Sequence, residues 1–412
     1  MQPSPIDAGR RALLTGRPAS YRAAQQGLVL PPATSAVTPF RVAVPGAMLD
    51  DLKLRLSMTR WPDKETAPGW TQGVPLKRMQ DVAHYWELQY DWRHAEAKLN
   101  AYPQFRTEID GLGIHFFHVR SRHANALPLI LTHGWPGSVF EFMKVIGPLV
   151  DPVTHGGKAE DAFHVVVPSL PGFGFSDKPR EKGWNVVRIA KAWGTLMSRL
   201  GYTKWVAQGG DWGAGVTTAL GHVKPAGLAG IHLNWQFVFP EKMPASGLSM
   251  EEQRAVDAAG RFGTDGYGYF NEQATRPQTM GEVLSSTPVG QAAWIYEKFQ
   301  AWTDNDGDVE HVLTRSEILD DISLYWLTNT SASSARIYWE NSPASFFGGR
   351  PDLPVAVSVF PKEIYRAPRS WAEATYPQLI YFREVERGGH FAAFEQPALF
   401  AAELRAGFAS LR

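Results

Sequence analysis

The pentapeptide Gly209-Gly210-Asp211-Trp212-Gly213 stands between a strand-like run, 204–208, and a helical pattern. Flanking glycines permit a tight strand-to-helix turn, and such a turn lifts its central side chain above a sheet. A helix N-terminus also favours an anionic carboxylate there. The plainer alternative is an aspartate that caps a helix in a Gly-rich turn. Neighbouring motifs favour chemistry instead. His133-Gly134-Trp135-Pro136-Gly137 follows the strand-like run 127–131, where a hydrolase with such an elbow places a backbone donor of its oxyanion hole. Trp135 offers that N–H, and Trp212, directly after the elbow residue, offers the second. Arg387-Gly388-Gly389-His390-Phe391 follows the last strand-like run, so His390 is the candidate general base. The acid that orients it should leave the preceding strand. Glu363 does so in Phe360-Pro361-Lys362-Glu363, whereas Asp352 lies at that strand's wrong end and Glu384 and Glu386 sit too near the last one. His133 precedes Asp211 in the chain and reads as a loop-organising residue.

The order Asp211, Glu363, His390 is that of an elbow hydrolase with Asp in place of Ser. A serine suits attack on an acyl carbon. A carboxylate can displace at an sp³ carbon and form an alkyl ester, which activated water then cleaves at the carboxylate's own carbon. Such an elbow points to an alkyl electrophile, an epoxide or a haloalkane, rather than an ordinary ester or peptide. Opening an epoxide needs an acid for the developing alkoxide, and a tyrosine hydroxyl can supply it, while a halide needs only N–H donors. Candidate tyrosines stand in Gly266-Tyr267-Gly268-Tyr269 and in Ser333-Ser334-Ala335-Arg336-Ile337-Tyr338-Trp339. Composition does not select among them.

These residues need a scaffold. Strand-like runs at 114–119, 127–131, 163–167, 205–207, 228–233, 353–359 and 379–385 alternate with helical patterns at 139–149, 186–200 and 213–223. Strands alternating with helices imply a mostly parallel sheet covered on both faces. The alternation stops between 233 and 353, where a helical, aromatic-rich stretch reads as an insertion. Residues 39–105 carry amphipathic helical patterns without catalytic spacing and read as an arm packed on the main domain. The expected division is a flexible tail over 1–37, an arm over 38–105, an α/β core over 106–234 and 346–412, and a helical cap over 235–345. Gly172-Phe173-Gly174 lacks the third glycine of a nucleotide loop and is weak evidence for phosphate binding.

Composition narrows the classes further. The 412 residues carry 41 Lys+Arg against 41 Asp+Glu, so no net charge favours nucleic acid or an anionic membrane. The absence of cysteine excludes disulfides, thiolate metal sites and thiol nucleophiles. No run approaches the ~18 apolar residues of a membrane span. Arg10-Arg11 resembles a twin-arginine export start, but polar residues interrupt the apolar stretch it would need, and the cytoplasm is the expected compartment.

The chain resembles the microsomal-type epoxide hydrolases of the α/β-hydrolase superfamily. Thr59-Arg60-Trp61-Pro62-Asp63, Tyr90-Asp91-Trp92-Arg93 and Pro103-Gln104-Phe105 look like that family's N-terminal domain. His133–Gly137, Gly209–Gly213, Ser286-Thr287-Pro288-Val289-Gly290 and the run Gly388-Gly389-His390-Phe391-Ala392-Ala393-Phe394-Glu395 match as well. The resemblance implies an α/β-hydrolase fold, a nucleophile at Asp211, a charge-relay acid at Glu363 and a base at His390. It also implies two cap tyrosines that bind the epoxide oxygen: Tyr338, and Tyr269 with Tyr267 as its rival. No metal or organic cofactor is implied, and the partners are a small, apolar epoxide and water. No membrane anchor like that at the start of eukaryotic members is expected from this sequence. The competing expectations are a haloalkane dehalogenase with the same nucleophile and a catalytically silent hydrolase-like binding protein.

Overall fold

The computed structural model of the chain describes residues 28–412, apart from 241, 245 and 342–349. The Arg10-Arg11 motif and the end of the expected cap at 345 therefore lie outside the described residues.

The central sheet runs through β1 (Thr38–Phe40), β2 (Gln104–Ile109), β3 (Leu112–Val119), β4 (Leu127–Thr132), β5 (Phe163–Pro168), β6 (Trp205–Gly209), β7 (Leu228–Leu233), β8 (Val355–Val359) and β9 (Leu379–Glu384). Their spatial order is β1-β2-β3-β5-β4-β6-β7-β8-β9. From β5 to β9 neighbouring strands are parallel, and β1, β2 and β3 add antiparallel pairs on one side. Strands such as Val355-Ala356-Val357-Ser358-Val359 are buried at every position, as expected where helices cover both faces. Two strands, β1 and β2, went unseen in the sequence. β1 has only three residues, with Pro39 at its centre, which suits an edge and gives no alternating pattern. Pairing of β1 with β2 draws the arm into the sheet itself.

Chain order reverses around β4, which has β5 on one side and β6 on the other. Ligands of open α/β sheets bind outside the strand carboxyl ends at such a reversal. Thr132 of β4 pairs with Gly209 of β6, so the Trp135 loop and the Asp211 turn leave the sheet side by side.

The arm contains α1 (Gly46–Ser57), α2 (Leu76–Leu88) and α3 (Trp92–Asn100), and the core contributes α4 (Met143–Val150), α5 (Val186–Arg199) and α6 (Asp211–Val223). Between β7 and β8 lie α7 (Met250–Arg261), α8 (Gly268–Thr275), α9 (Pro277–Ser286), α10 (Pro288–Trp302), α11 (Arg315–Thr328) and α12 (Ser331–Glu340). After β8 come α13 (Arg369–Thr375), α14 (Ala392–Glu395) and α15 (Pro397–Gly407). Capping boxes, Ser249 with Glu252 and Thr314 with Glu317, start α7 and α11. Hydrogen bonds fix the inserted helices above the sheet. Ser138 Oγ donates to Asp321 at 2.6 Å, Tyr325 Oη to the Gly137 carbonyl at 2.8 Å, and Ser333 Oγ to the Gly172 carbonyl at 2.6 Å.

The arm was expected on the main domain, and its helices bond to the insertion. Trp86, 1% exposed, donates its indole N–H to Ser323 Oγ at 3.0 Å, while Tyr90 Oη and Lys98 Nζ reach the two oxygens of Asp320 at 2.8 and 2.9 Å. Residues 28–37 of the expected tail are also tied down. The Leu28 N–H donates to the Leu327 carbonyl at 3.0 Å, and the Pro31 carbonyl accepts from Arg106. Arg106 is 2% exposed, and a guanidinium so buried requires acceptors, of which Asp177 at 2.5 Å is another.

Trp86 thus fills the joint between arm and insertion. Trp86→Ala should cost about 3–5 kcal/mol in urea unfolding. A loss below about 1 kcal/mol would show that the arm is docked by other contacts.

Candidate active site

Asp211 is the first residue of α6, separated from the β6 strand by Gly210 alone, with φ of 50°. That left-handed conformation costs a non-glycine residue about 1–3 kcal/mol. The surroundings enforce it by close approach. A Cβ on Gly213 would stand 1.9 Å from the Thr132 carbonyl oxygen, and one on Gly134 would stand 2.1 Å from Asp211 Oδ1. Glycine at both positions lets the elbow and the Trp135 loop touch.

The carboxylate has a defined partner on each oxygen. Trp135 N–H donates to Asp211 Oδ1 at 2.8 Å, and His390 Nε2 lies 3.3 Å from Oδ2. His390 Nδ1 lies 2.6 Å from Glu363 Oε1, which also accepts the Ile364 N–H at 2.8 Å. Glu363 leaves the sheet after β8 and His390 after β9, and the two loops are joined by a Lys362–Gly389 bridge. The three residues expected from chain order therefore stand in one line of contacts, Asp211–His390–Glu363. Burial opposes a charge on His390, but the Glu363 and Asp211 carboxylates prevail and raise its pKa well above the ordinary 6.5.

His133 stands apart from this line. Its Nδ1 lies 2.9 Å from the Gly134 carbonyl, and its Nε2 accepts the Leu170 N–H at 3.1 Å. Burial lowers its pKa to about 4, so it is a neutral brace between two loops.

Across from Asp211 stand two tyrosines of the insertion, Tyr269 on α8 and Tyr338 on α12, both buried. Their rings lie 5.8 Å apart, and each packs on Trp135, Tyr269 stacked at 5.2 Å and Tyr338 edge-on at 5.7 Å. Trp212 also meets Tyr338 edge-on, at 4.8 Å. Burial drives both phenol pKa values well up, and the charge of Asp211 adds to each. The Tyr338 hydroxyl is buried, with the side chains of Tyr269 and Trp212 as its polar neighbours. Tyr267 is only half-buried, stacks on Phe270 at 4.4 Å, and its milder upward shift comes from burial alone. Tyr269 thus packs against Tyr338 and feels the charge of Asp211, while Tyr267 lines the same cavity farther toward the surface.

Asp211 and both tyrosines border a cavity of about 200 Å³ whose other walls include Trp212, Trp235, Phe237, Phe262 and Phe270. A second cavity, of about 10 Å³, opens behind the carboxylate between Asp211, His390, Asn234 and Glu141. Its size is of the order of one water molecule. Sequence patterns do not single out Glu141 or Asn234, since neither belongs to a motif with catalytic spacing. The only local sign of Glu141 is Gly137, where a Cβ would stand 1.5 Å from Glu141 Oε1. Desolvation first, then the charge of Asp321, hold the Glu141 carboxyl well above the usual range. Among the described residues no cluster of His, Asp and Glu is arranged to hold a metal ion, and no helix is long and apolar enough to cross a membrane.

Known proteins share this arrangement of chain and fold. Residues 37–142 match the family described as epoxide hydrolase N terminus, and residues 128–288 match the alpha/beta hydrolase fold. A protein of Stigmatella aurantiaca, provisionally named an epoxide hydrolase, is 67% identical over 376 residues, covering 91% of this chain and 86% of its own. Epoxide hydrolase 1 of Oryctolagus cuniculus is 35% identical over 399 residues, covering 90% and 88%. Among solved structures, the Aspergillus niger epoxide hydrolase superposes with a TM-score of 0.81 at 34% identity, covering 93% of this chain and 99% of that one. The juvenile hormone epoxide hydrolase of Bombyx mori gives 0.84 at 29%, covering 94% and 99%. With such identity sustained over nine-tenths of its length, the chain belongs to the epoxide hydrolases, enzymes of the α/β-hydrolase fold.

Proposed function

We propose that this enzyme opens an apolar epoxide through a covalent ester on Asp211 and releases a vicinal diol. One observation carries the reading: the Asp211 carboxylate is held between the Trp135 N–H and His390, with two buried tyrosines facing it across an aromatic cavity. Tyr269 and Tyr338 hold the epoxide oxygen. One carboxylate oxygen of Asp211 attacks a ring carbon, the carbon–oxygen bond breaks, and a tyrosine proton passes to the developing alkoxide. Raised phenol pKa values keep both hydroxyls protonated in the resting enzyme, and ester formation removes the Asp211 charge that helps to raise them.

The first step also prepares the second. Esterification removes the negative charge of Asp211, and with it one of the two carboxylates that keep His390 protonated. The imidazolium proton can then pass, by way of water, to the tyrosinate left by ring opening, and the neutral imidazole acts as base toward a water in the small cavity beside Asp211. Glu363 holds the ring in place and stabilises the imidazolium that forms. Water adds to the carbonyl carbon of the Asp211 ester. The oxyanion is stabilised by the N–H groups of Trp135 and Trp212. Collapse breaks the acyl carbon–oxygen bond, so the original carboxylate oxygen leaves with the diol.

A cavity of about 200 Å³ with aromatic walls suits a compact apolar epoxide, aryl or alkyl. A halide leaving group would need no hydroxyl pair, which sets the dehalogenase alternative apart by a simple experiment. Tyr269→Phe and Tyr338→Phe should each slow formation of the ester from styrene oxide about 10- to 100-fold, and the double variant about 10³-fold or more. Undiminished ester formation in the double variant would remove the tyrosines from the mechanism.

The charge coupling has its own signature. His390 has a folded-state pKa above its unfolded value, so its contribution to stability is complete below about 6.5 and is lost as the pH rises through the folded value. Asp211→Asn should lower the imidazole titration of His390, followed by NMR, and shrink that pH-dependent stability. An unchanged titration would show that Asp211 does not set the protonation of His390.

A further inference from the structure

Glu395 closes the motif Gly388-Gly389-His390-Phe391-Ala392-Ala393-Phe394-Glu395, and the chemistry above gives it no task. It ends the short helix α14 and is 7% exposed. Its Oε1 accepts the Phe391 N–H at 3.0 Å. Its Oε2 accepts the Gly389 N–H at 3.0 Å and the Asp304 N–H at 2.7 Å. One carboxylate therefore grips the peptide groups on both sides of His390.

The third amide belongs to the chain that follows α10 of the insertion, and further bonds lace the same two segments together. His390 N–H donates to the Trp302 carbonyl at 2.8 Å, and Gly388 N–H donates to Asp304 Oδ2 at 2.9 Å. The segments touch so closely that a Cβ on Gly389 would stand 2.5 Å from the Trp302 carbonyl oxygen. The Trp302 ring packs 5.1 Å from that of His390 and 5.3 Å from that of Tyr269. The base loop and a face of the epoxide-binding insertion are thus registered against each other around Glu395.

Packing alone would not select this residue. A buried carboxylate is costly unless charge and hydrogen bonds compensate it. Among the described residues no Lys or Arg forms an ion pair with Glu395, and backbone N–H groups hold both of its oxygens. Burial pushes its carboxyl up to about 7 against the pull of those amides. When ionised, a carboxylate so placed gives stronger and more directional bonds to these amides than a neutral side chain would.

We infer that Glu395 is a positioning residue for ester hydrolysis, holding the His390 loop in register with the Trp302–Asp304 segment so that Nε2 can activate water. The inference rests on the covalent reading proposed above. Ring opening uses Asp211 and the tyrosine hydroxyls, whereas ester cleavage depends on where His390 stands. Loosening the loop should slow the second step and spare the first.

The test is rapid-quench kinetics of the full chain with styrene oxide, following the ester by intact mass, for wild type, Glu395→Gln, Glu395→Ala and His390→Gln. Glutamine keeps an acceptor for Asp304 and Gly389 but turns an amide donor toward the Phe391 N–H. Ester decay should fall about 10-fold in Glu395→Gln and about 100-fold in Glu395→Ala, with ester formation within about threefold of wild type. Glu395→Asp, a charged but shorter side chain, should fall between wild type and Glu395→Ala in decay. Should Glu395→Ala fail to fold, Glu395→Gln decides alone. Equal loss of both rates, or a lowered Tm with both rates kept, would overturn the positioning role. His390→Gln separates the two levels: it should accumulate ester, and its failure to do so would bring down the covalent reading and this inference with it.

Discussion

A buried imidazole placed between two carboxylates governs this structure. His390 has Glu363 on Nδ1 at 2.6 Å and Asp211 on Nε2 at 3.3 Å, and none of the three is well exposed. Placing like charges in a dry site is unfavourable unless a cation lies between them. The raised pKa of His390 supplies that cation in the resting enzyme. In the proposed reaction the substrate neutralises one of the two carboxylates, and the balance tips toward a neutral imidazole at the moment a base is required.

The rest of the fold can be understood as what keeps that triad in place. The reversal of strand order around β4 brings the Trp135 loop beside the elbow, and absent side chains at Gly134 and Gly213 let them meet. The left-handed conformation of Asp211 is tolerated because its surroundings overdetermine it. The inserted helices supply Tyr269 and Tyr338, and they are tied to the sheet through Ser138–Asp321 and Tyr325–Gly137. The arm then braces those helices through Trp86, Tyr90 and Lys98. The arm is remote from the reacting atoms and still braces the helices that carry the two tyrosines.

Much of this was legible in the sequence wherever the signal was local. The elbow glycines and the strand that precedes Asp211 are short-range features, and Glu363 and His390 each stand just after a strand-like run, in the chain order an elbow hydrolase requires. The resemblance favours Tyr269 over Tyr267, but composition does not separate them: Tyr269 lies in α8, Tyr267 stands just before it, and both line the cavity beside Asp211. Glu141 and Asn234 meet the site only through folding, because they come from the Val139–Phe142 turn and the chain end of β7. Neither β1 nor β2 gives an apolar strand-like run in sequence, since β1 has three residues and β2 carries Gln104, Arg106, Thr107 and Glu108. The arm looked like a helical accessory, whereas β1 joins the sheet and α2 contacts the insertion.

Covalent catalysis here requires that Asp211 itself bonds to substrate and that water attacks its carboxyl carbon. Single-turnover reaction of excess enzyme with an epoxide in ¹⁸O-water measures this directly. The ester route predicts an unlabelled diol from the first turnover and one ¹⁸O atom in the carboxylate of Asp211. A labelled diol from an unlabelled Asp211 would contradict it, since water would then have opened the epoxide without the ester.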